Sequence, residues 1–228
     1  MRGSRFLFPA RVTTRRVDTT GSERNHAPNE TARIEAFSDG VFAIAITLLI
    51  LEIKVPPQTG EGVLRAALFD LWPSYLAFLA SFMTIGVMWL NHHRLFTLID
   101  KNDDGLIAFN LALLLGITWL PFPTALLAEH LLGPHVDQQA AAVVYAGSFF
   151  AISIVFNVMW RYAVRVRIVG DDLNAAAITK QYALGPIMYA VLVGIAFFSA
   201  EWCLILSALY ALYFALPPKL WRGRAPGR

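Results

Sequence analysis

The stretch "RIEAFSDGVFAIAITLLILEI", Arg33 to Ile53, begins with charge and ends in hydrocarbon. Arg33, Glu35, Ser38 and Asp39 crowd its first two turns, whereas Gly40 to Leu51 carries no charge. As a helix, the block 33–54 is long enough to cross a hydrocarbon core about 30 Å thick. Five further blocks of the same character follow, at roughly 73–97, 105–129, 138–162, 181–200 and 202–217. The last two lie close together, as a hairpin would.

Composition agrees with this reading. Of 228 residues, 57% are hydrophobic and 15% charged, against about 25% charged in a soluble domain. The expectation is an all-α integral membrane protein with six transmembrane helices per subunit and both termini cytosolic. Its parts are a disordered basic cytosolic arm at 1–32, a six-helix domain at 33–217 and a basic cytosolic tail at 218–228. The arm is polar, Arg-rich and broken by Pro9 and Pro28, a composition that cannot bury a core. Its apolar run Phe6 to Ala10 is too short for a secretory signal.

The orientation comes from the basic residues. If both ends share a side, that side collects 17 of the 19 Lys and Arg, leaving only Lys54 and Arg65 opposite. By the positive-inside rule the crowded side is cytosolic. The net charge of +3 resides in these flanks, so nucleic acid is not implied as a partner. The single cysteine, Cys203, rules out an intrachain disulfide and a thiolate metal cluster. No phosphate-binding glycine loop and no serine nucleophile elbow is present. A membrane enzyme, a second rival reading, would need a convergent acid, base or metal set, and the only polar cluster lies at the cytosolic end; the chain reads as no enzyme, with no cofactor. A threonine-valine-glycine-tyrosine-glycine filter is missing too.

At 100° per residue, Phe37, Val41, Ile44, Leu48 and Leu51 form one apolar stripe, with Thr47 at its flank. Asp39 lies on the opposite face with Phe42, Ile46 and Ile50. A stripe of this kind suits lipid, a neighbouring helix or a central axis, and periodicity does not choose among them. The aspartate is different, because a charge at the membrane boundary needs a partner. The second span ends "MTIGVMWLNHHRLF", where Trp89 and His92 share a face, and the third carries Asn110 at similar depth. Asp39, His92 or His93, and Asn110 are expected to form a hydrogen-bonded knot. For the histidines, pH sensing is a second reading. Metal binding is a poor third, because adjacent histidines point about 100° apart on a helix. Pro121 and Pro123 should kink or end the third span, and Asn157 and Tyr189 read as isolated packing residues. Ala190 and Gly194 have a spacing that permits close helix approach.

The Arg33, Phe37, Ser38, Asp39 motif, then "WLNHHRLF" and "LPFPTALL", resembles the bacterial members of the transmembrane protein 175 family of potassium channels. The likeness is close over spans 1 to 3 and covers only number and character beyond them. It implies a homotetramer in the bacterial inner membrane, surrounded by membrane lipids, with the first span of each subunit lining the pore. On that pattern Ile44, Leu48 and Leu51 form an apolar constriction and Thr47 a selectivity ring, with potassium ions as the permeant species. Arg33, Phe37, Ser38, Asp39, Trp89, His92, His93 and Asn110 then form the knot that holds the pore helix. Four isoleucines offer an ion no oxygen, so selectivity weaker than that of a carbonyl filter is expected. The rival is a secondary transporter or small-solute exporter. The lack of an inverted repeat and of mid-membrane charge counts against it.

Overall fold

The structure, a computed structural model, describes residues 30–57, 62–170 and 174–215. Eight helices account for most of it: α1 (Glu30–Leu48), α2 (Val63–Asp70), α3 (Trp72–Phe96), α4 (Asp104–Trp119), α5 (Pro121–His130), α6 (His135–Arg165), α7 (Ala175–Ala196) and α8 (Ala200–Ala215). A 3-10 turn, Leu49–Glu52, extends α1. Among the described residues the only β pairing is an isolated bridge, Ile99 with Val169, which ties the α3–α4 loop to the α6–α7 loop.

Five segments are long and apolar enough to cross a membrane: Thr31–Glu52, Trp72–Phe96, Asp104–His130, His135–Arg165 and Ala175–Ala196. The sixth expected span, α8, has 16 residues, about 24 Å at 1.5 Å per residue. That is shorter than the ~30 Å hydrocarbon core. The chain is thus an all-helical, polytopic membrane protein, with five full-length spans and one short apolar helix in its described part. Three boundaries differ from expectation. The fifth span runs Ala175–Ala196 and not 181–200, because Asn174 caps it at the Ala177 amide and Lys180 and Gln181 lie inside the helix. The first helix starts at Glu30, three residues inside the segment read as an arm, because Glu30, Thr31 and Ala32 extend the helix without a breaker. Helix α2 was not anticipated, since eight residues after a glycine give too little periodicity to read. The rest of the 1–32 arm and the 218–228 tail lie outside the described residues.

Local chemistry explains the breaks. Asp103 caps α4, its carboxylate accepting from the Leu106 amide at 2.8 Å and from the Tyr162 hydroxyl of α6 at 2.7 Å. Pro121 has no amide to offer the Ile117 carbonyl, and that carbonyl accepts from Leu120 N at 3.2 Å instead. The ladder restarts as α5, so the third span is one path broken at its prolines. Helix α7 follows α6 and packs along it, and α8 leans more on α3 than on α7. A buried chain of hydroxyls crosses the bundle far from the ends of α3. Ser81 meets Thr124 at 2.8 Å and Tyr145 at 3.2 Å, and Tyr145 reaches Ser207 at 3.4 Å. In hydrocarbon each of these groups must find a partner inside the protein, and together they link α3, α5, α6 and α8.

Candidate functional site

Helix α1 buries one narrow face. Ser38, Phe42, Ala45 and Leu49 repeat every three or four residues and are all sealed, packed toward α3 and α4. A second edge, about 110° round the helix, is largely open: Phe37, Ile44, Leu48 and Leu51 are 58, 59, 40 and 65% exposed, and Ile50, on the Asp39 face, is 51% exposed as well. Val41 is half-buried and Thr47 exposed. The Thr47 hydroxyl donates to the Ile44 carbonyl at 2.9 Å. Its hydrogen is therefore committed to its own helix, and the oxygen presents lone pairs outward, the polarity a cation needs.

The polar residues at the head of α1 divide into three separate contacts. Ser38 Oγ donates to the Ile34 carbonyl at 2.8 Å and accepts from Asn110 Nδ2 at 2.9 Å. Asn110 Oδ1 then lies 2.9 Å from His92 Nε2. An amide that donates to Ser38 presents its oxygen to the imidazole, so Nε2 carries the proton and Nδ1 has no partner. The His92 ring stacks on Phe96 with centroids 4.4 Å apart and lies 5.4 Å from Phe42. Separately, Trp89 Nε1 donates to Asp39 Oδ1 at 2.8 Å. His93 Nδ1 lies 2.6 Å from Glu35 Oε1.

Ser38, Asp39, Trp89, His92, His93 and Asn110 all take part in contacts among α1, α3 and α4, but with a pairing other than the expected one. Asp39 bonds neither Asn110 nor a histidine but takes the indole of Trp89, while its neighbour Ser38 holds the amide. Residues 38 and 39 point about 100° apart, and the rotation of α1 aims the serine at α4 and the carboxylate at α3. Arg33 and Phe37 stand outside the knot, both exposed; Phe37 belongs to the open stripe. Glu35 was missed, although it lies one turn before Asp39 and so shares much of its aspect. No group of three or more His, Cys, Asp or Glu able to hold a metal occurs among the described residues.

Apolar helices of bilayer length, joined by a sealed polar seam at one end, define a polytopic integral membrane protein. The profile of the family described as endosomal/lysosomal potassium channel TMEM175 matches residues 33–121. A potassium channel of Chamaesiphon minutus is 52% identical over 194 residues, covering 82% of this chain and 95% of its own. A potassium channel of Streptomyces collinus is 45% identical over 190 residues, covering 82% of this chain and 92% of its own. Among solved structures, the crystal structure of a lysosomal potassium-selective channel TMEM175 homolog from Chamaesiphon minutus superposes with a TM-score of 0.73. It is 50% identical and covers 82% of this chain and 96% of that one. The chain belongs to the TMEM175 family, a family of ion channels and not of enzymes.

Proposed function

We propose that this chain forms a potassium-permeable, weakly to moderately selective cation channel, a homotetramer whose pore is lined by α1. The observation that carries the reading is the open stripe: Phe37, Ile44, Leu48 and Leu51 stay exposed along one edge while Ser38, Phe42, Ala45 and Leu49 are sealed. The polar anchors Ser38 and Asp39 bond to α4 and α3, so no charge lies on the stripe. Around a fourfold axis, Ile44, Leu48 and Leu51 form an apolar constriction. A tight ring of such side chains expels water and stops ions, and a slightly wider one passes a partly dehydrated cation. Thr47 adds oxygen lone pairs beside Ile44 and favours potassium, which sheds water more readily than sodium.

The same reading orients the chain. Arg33, Arg94, Lys101, Arg161, Arg165, Arg167 and Lys180 all fall at one end of the bundle, by α1's start and α3's finish. That end is cytosolic in a bacterial inner membrane, with α8 as the sixth span and both termini on the same side.

Cysteine substitution tests the lining, because the native Cys203 is buried and free. Leu51→Cys or Ile44→Cys channels in planar bilayers should lose current to a charged, membrane-impermeant thiol reagent, and Phe42→Cys should not. Full current at both stripe positions would place the stripe against lipid.

A further inference from the structure

A cavity of about 340 Å³ opens between α3, α6 and α7, with α4 and α1 behind it. It takes no part in the pore proposed above. Its lining changes character along its length. Arg94, Asn91 and Gln181 stand at the basic end of the bundle, where α3 finishes and α7 begins, while Phe42, Leu113 and Ile152 close the interior part.

Three observations say what fits it. First, Arg94 is exposed and has no carboxylate partner: the ion pairs among the described residues are Glu52–Lys54 and Glu35–His93. A guanidinium at a membrane interface with no anion beside it among the described residues suits an external one, and a phosphate matches its fork of donors. Second, the interior wall is mostly apolar, and its polar members Ser153 and Asn157 donate to carbonyls of α6 and α7, so an inorganic ion would gain little by entering. Third, α7 is the least covered of the spans, with only 6% of its apolar window buried. Within the subunit the α7 side of the cavity is therefore uncovered, and this is the side from which a chain enters sideways.

We propose that this cavity is a binding site for an anionic phospholipid, which inserts one acyl chain between α3 and α7 and sets its phosphate on Arg94. Basic pockets between spans at the cytosolic level are where acidic headgroups bind. The volume lies near the lower limit of small-ligand sites, about 300–1,000 Å³, which suits one acyl chain and leaves the second in the bilayer. The inserted chain ends against Phe42, the sealed face of α1, so the lipid braces the helix whose other edge is open.

Native mass spectrometry of the full chain in detergent tests this, with phosphatidylglycerol and phosphatidylcholine of identical acyl chains as probes. Phosphatidylglycerol should be retained over phosphatidylcholine by about fivefold, the scale of one basic residue against an anionic surface. Arg94→Gln should erase that preference. Val87→Phe, which fills the cavity wall, should lower retention of both lipids while the elution volume stays that of the wild type. If Val87→Phe elutes differently, Leu184→Trp on the exposed rim of the same cavity replaces it. Equal retention of the two lipids by the wild type, a preference that survives Arg94→Gln, or undiminished retention in the filled variant would each overturn the proposal.

Discussion

Asn157 on α6 donates to the Tyr182 carbonyl of α7 at 2.8 Å, and Tyr182 is the residue four positions before Pro186, the proline inside α7. In an unbroken helix that carbonyl would accept from the amide of residue 186, and proline has none. A neighbouring helix supplies the missing donor, as the bilayer requires of any interrupted span. Asn157 also reaches its own Ser153 carbonyl at 3.3 Å, which holds the amide in place.

Asn157→Ala should therefore cost about 1 kcal/mol, the net contribution of a hydrogen bond to a part-buried carbonyl. In a Pro186→Ala background the helix regains its own amide, and the same substitution should cost clearly less. A double-mutant cycle on thermal midpoints in detergent measures the coupling. Additive losses would mean the contact is incidental.

The Asp39–Trp89 contact makes a sharper demand. Asp39→Ala removes the acceptor of the indole N–H and should reduce tetramer yield on size exclusion; Asp39→Asn, which keeps an oxygen, should retain more of it. Trp89→Phe should match the alanine variant, and the double variant should be no worse than either single one. A hydrogen bond contributes about 0.5–1.5 kcal/mol, enough to read in the yield of assembled protein.

For the constriction, Ile44→Asn should raise potassium flux into liposomes several-fold, because an amide ring wets where an isoleucine ring does not. Flux at or below the wild-type rate, with normal assembly, would count against a gate at this position.

Thr47→Ala removes the outward oxygen and should lower the potassium-to-sodium permeability ratio in reversal-potential measurements, with conductance less affected. Thr47→Ser keeps the oxygen and should hold the ratio.

Gly105 offers a test of packing alone. A Cβ at this position would overlap the Tyr162 side chain, whose hydroxyl bonds the Asp103 cap. Gly105→Ala should lower the thermal midpoint despite alanine's better helix propensity, and Tyr162→Phe in the same chain should recover part of the loss by freeing the ring to move.

The extent of the spans was readable from hydrophobicity alone. Blocks at 73–97, 105–129 and 138–162 correspond to Trp72–Phe96, Asp104–His130 and His135–Arg165, within about three residues at each end. The open stripe on α1 follows the 100° spacing of Phe37, Ile44, Leu48 and Leu51. Partner choice was far less legible. Asn157 and Tyr189 read as isolated, yet Asn157 completes a broken helix, and the rings of Tyr189 and Phe149 stack 5.8 Å apart. The hydroxyl chain from Ser81 to Ser207 spans more than a hundred residues and has no local pattern. Ala190 and Gly194, spaced for close approach, are both exposed on α7.

By itself, then, the amino-acid order determined that the chain enters a bilayer, the approximate extent of its second, third and fourth spans, and which face of α1 is free of charge. Those properties depend on residues within a few turns of one another and on transfer from water to hydrocarbon. Only the tertiary structure decided that Ser38 and not Asp39 holds Asn110, that Trp89 takes the carboxylate, and that Asn157 serves Pro186's orphaned carbonyl. Such pairings turn on the rotation and axial offset of whole helices, where a shift of one residue swings a side chain by 100° and hands its hydrogen bond to a different neighbour.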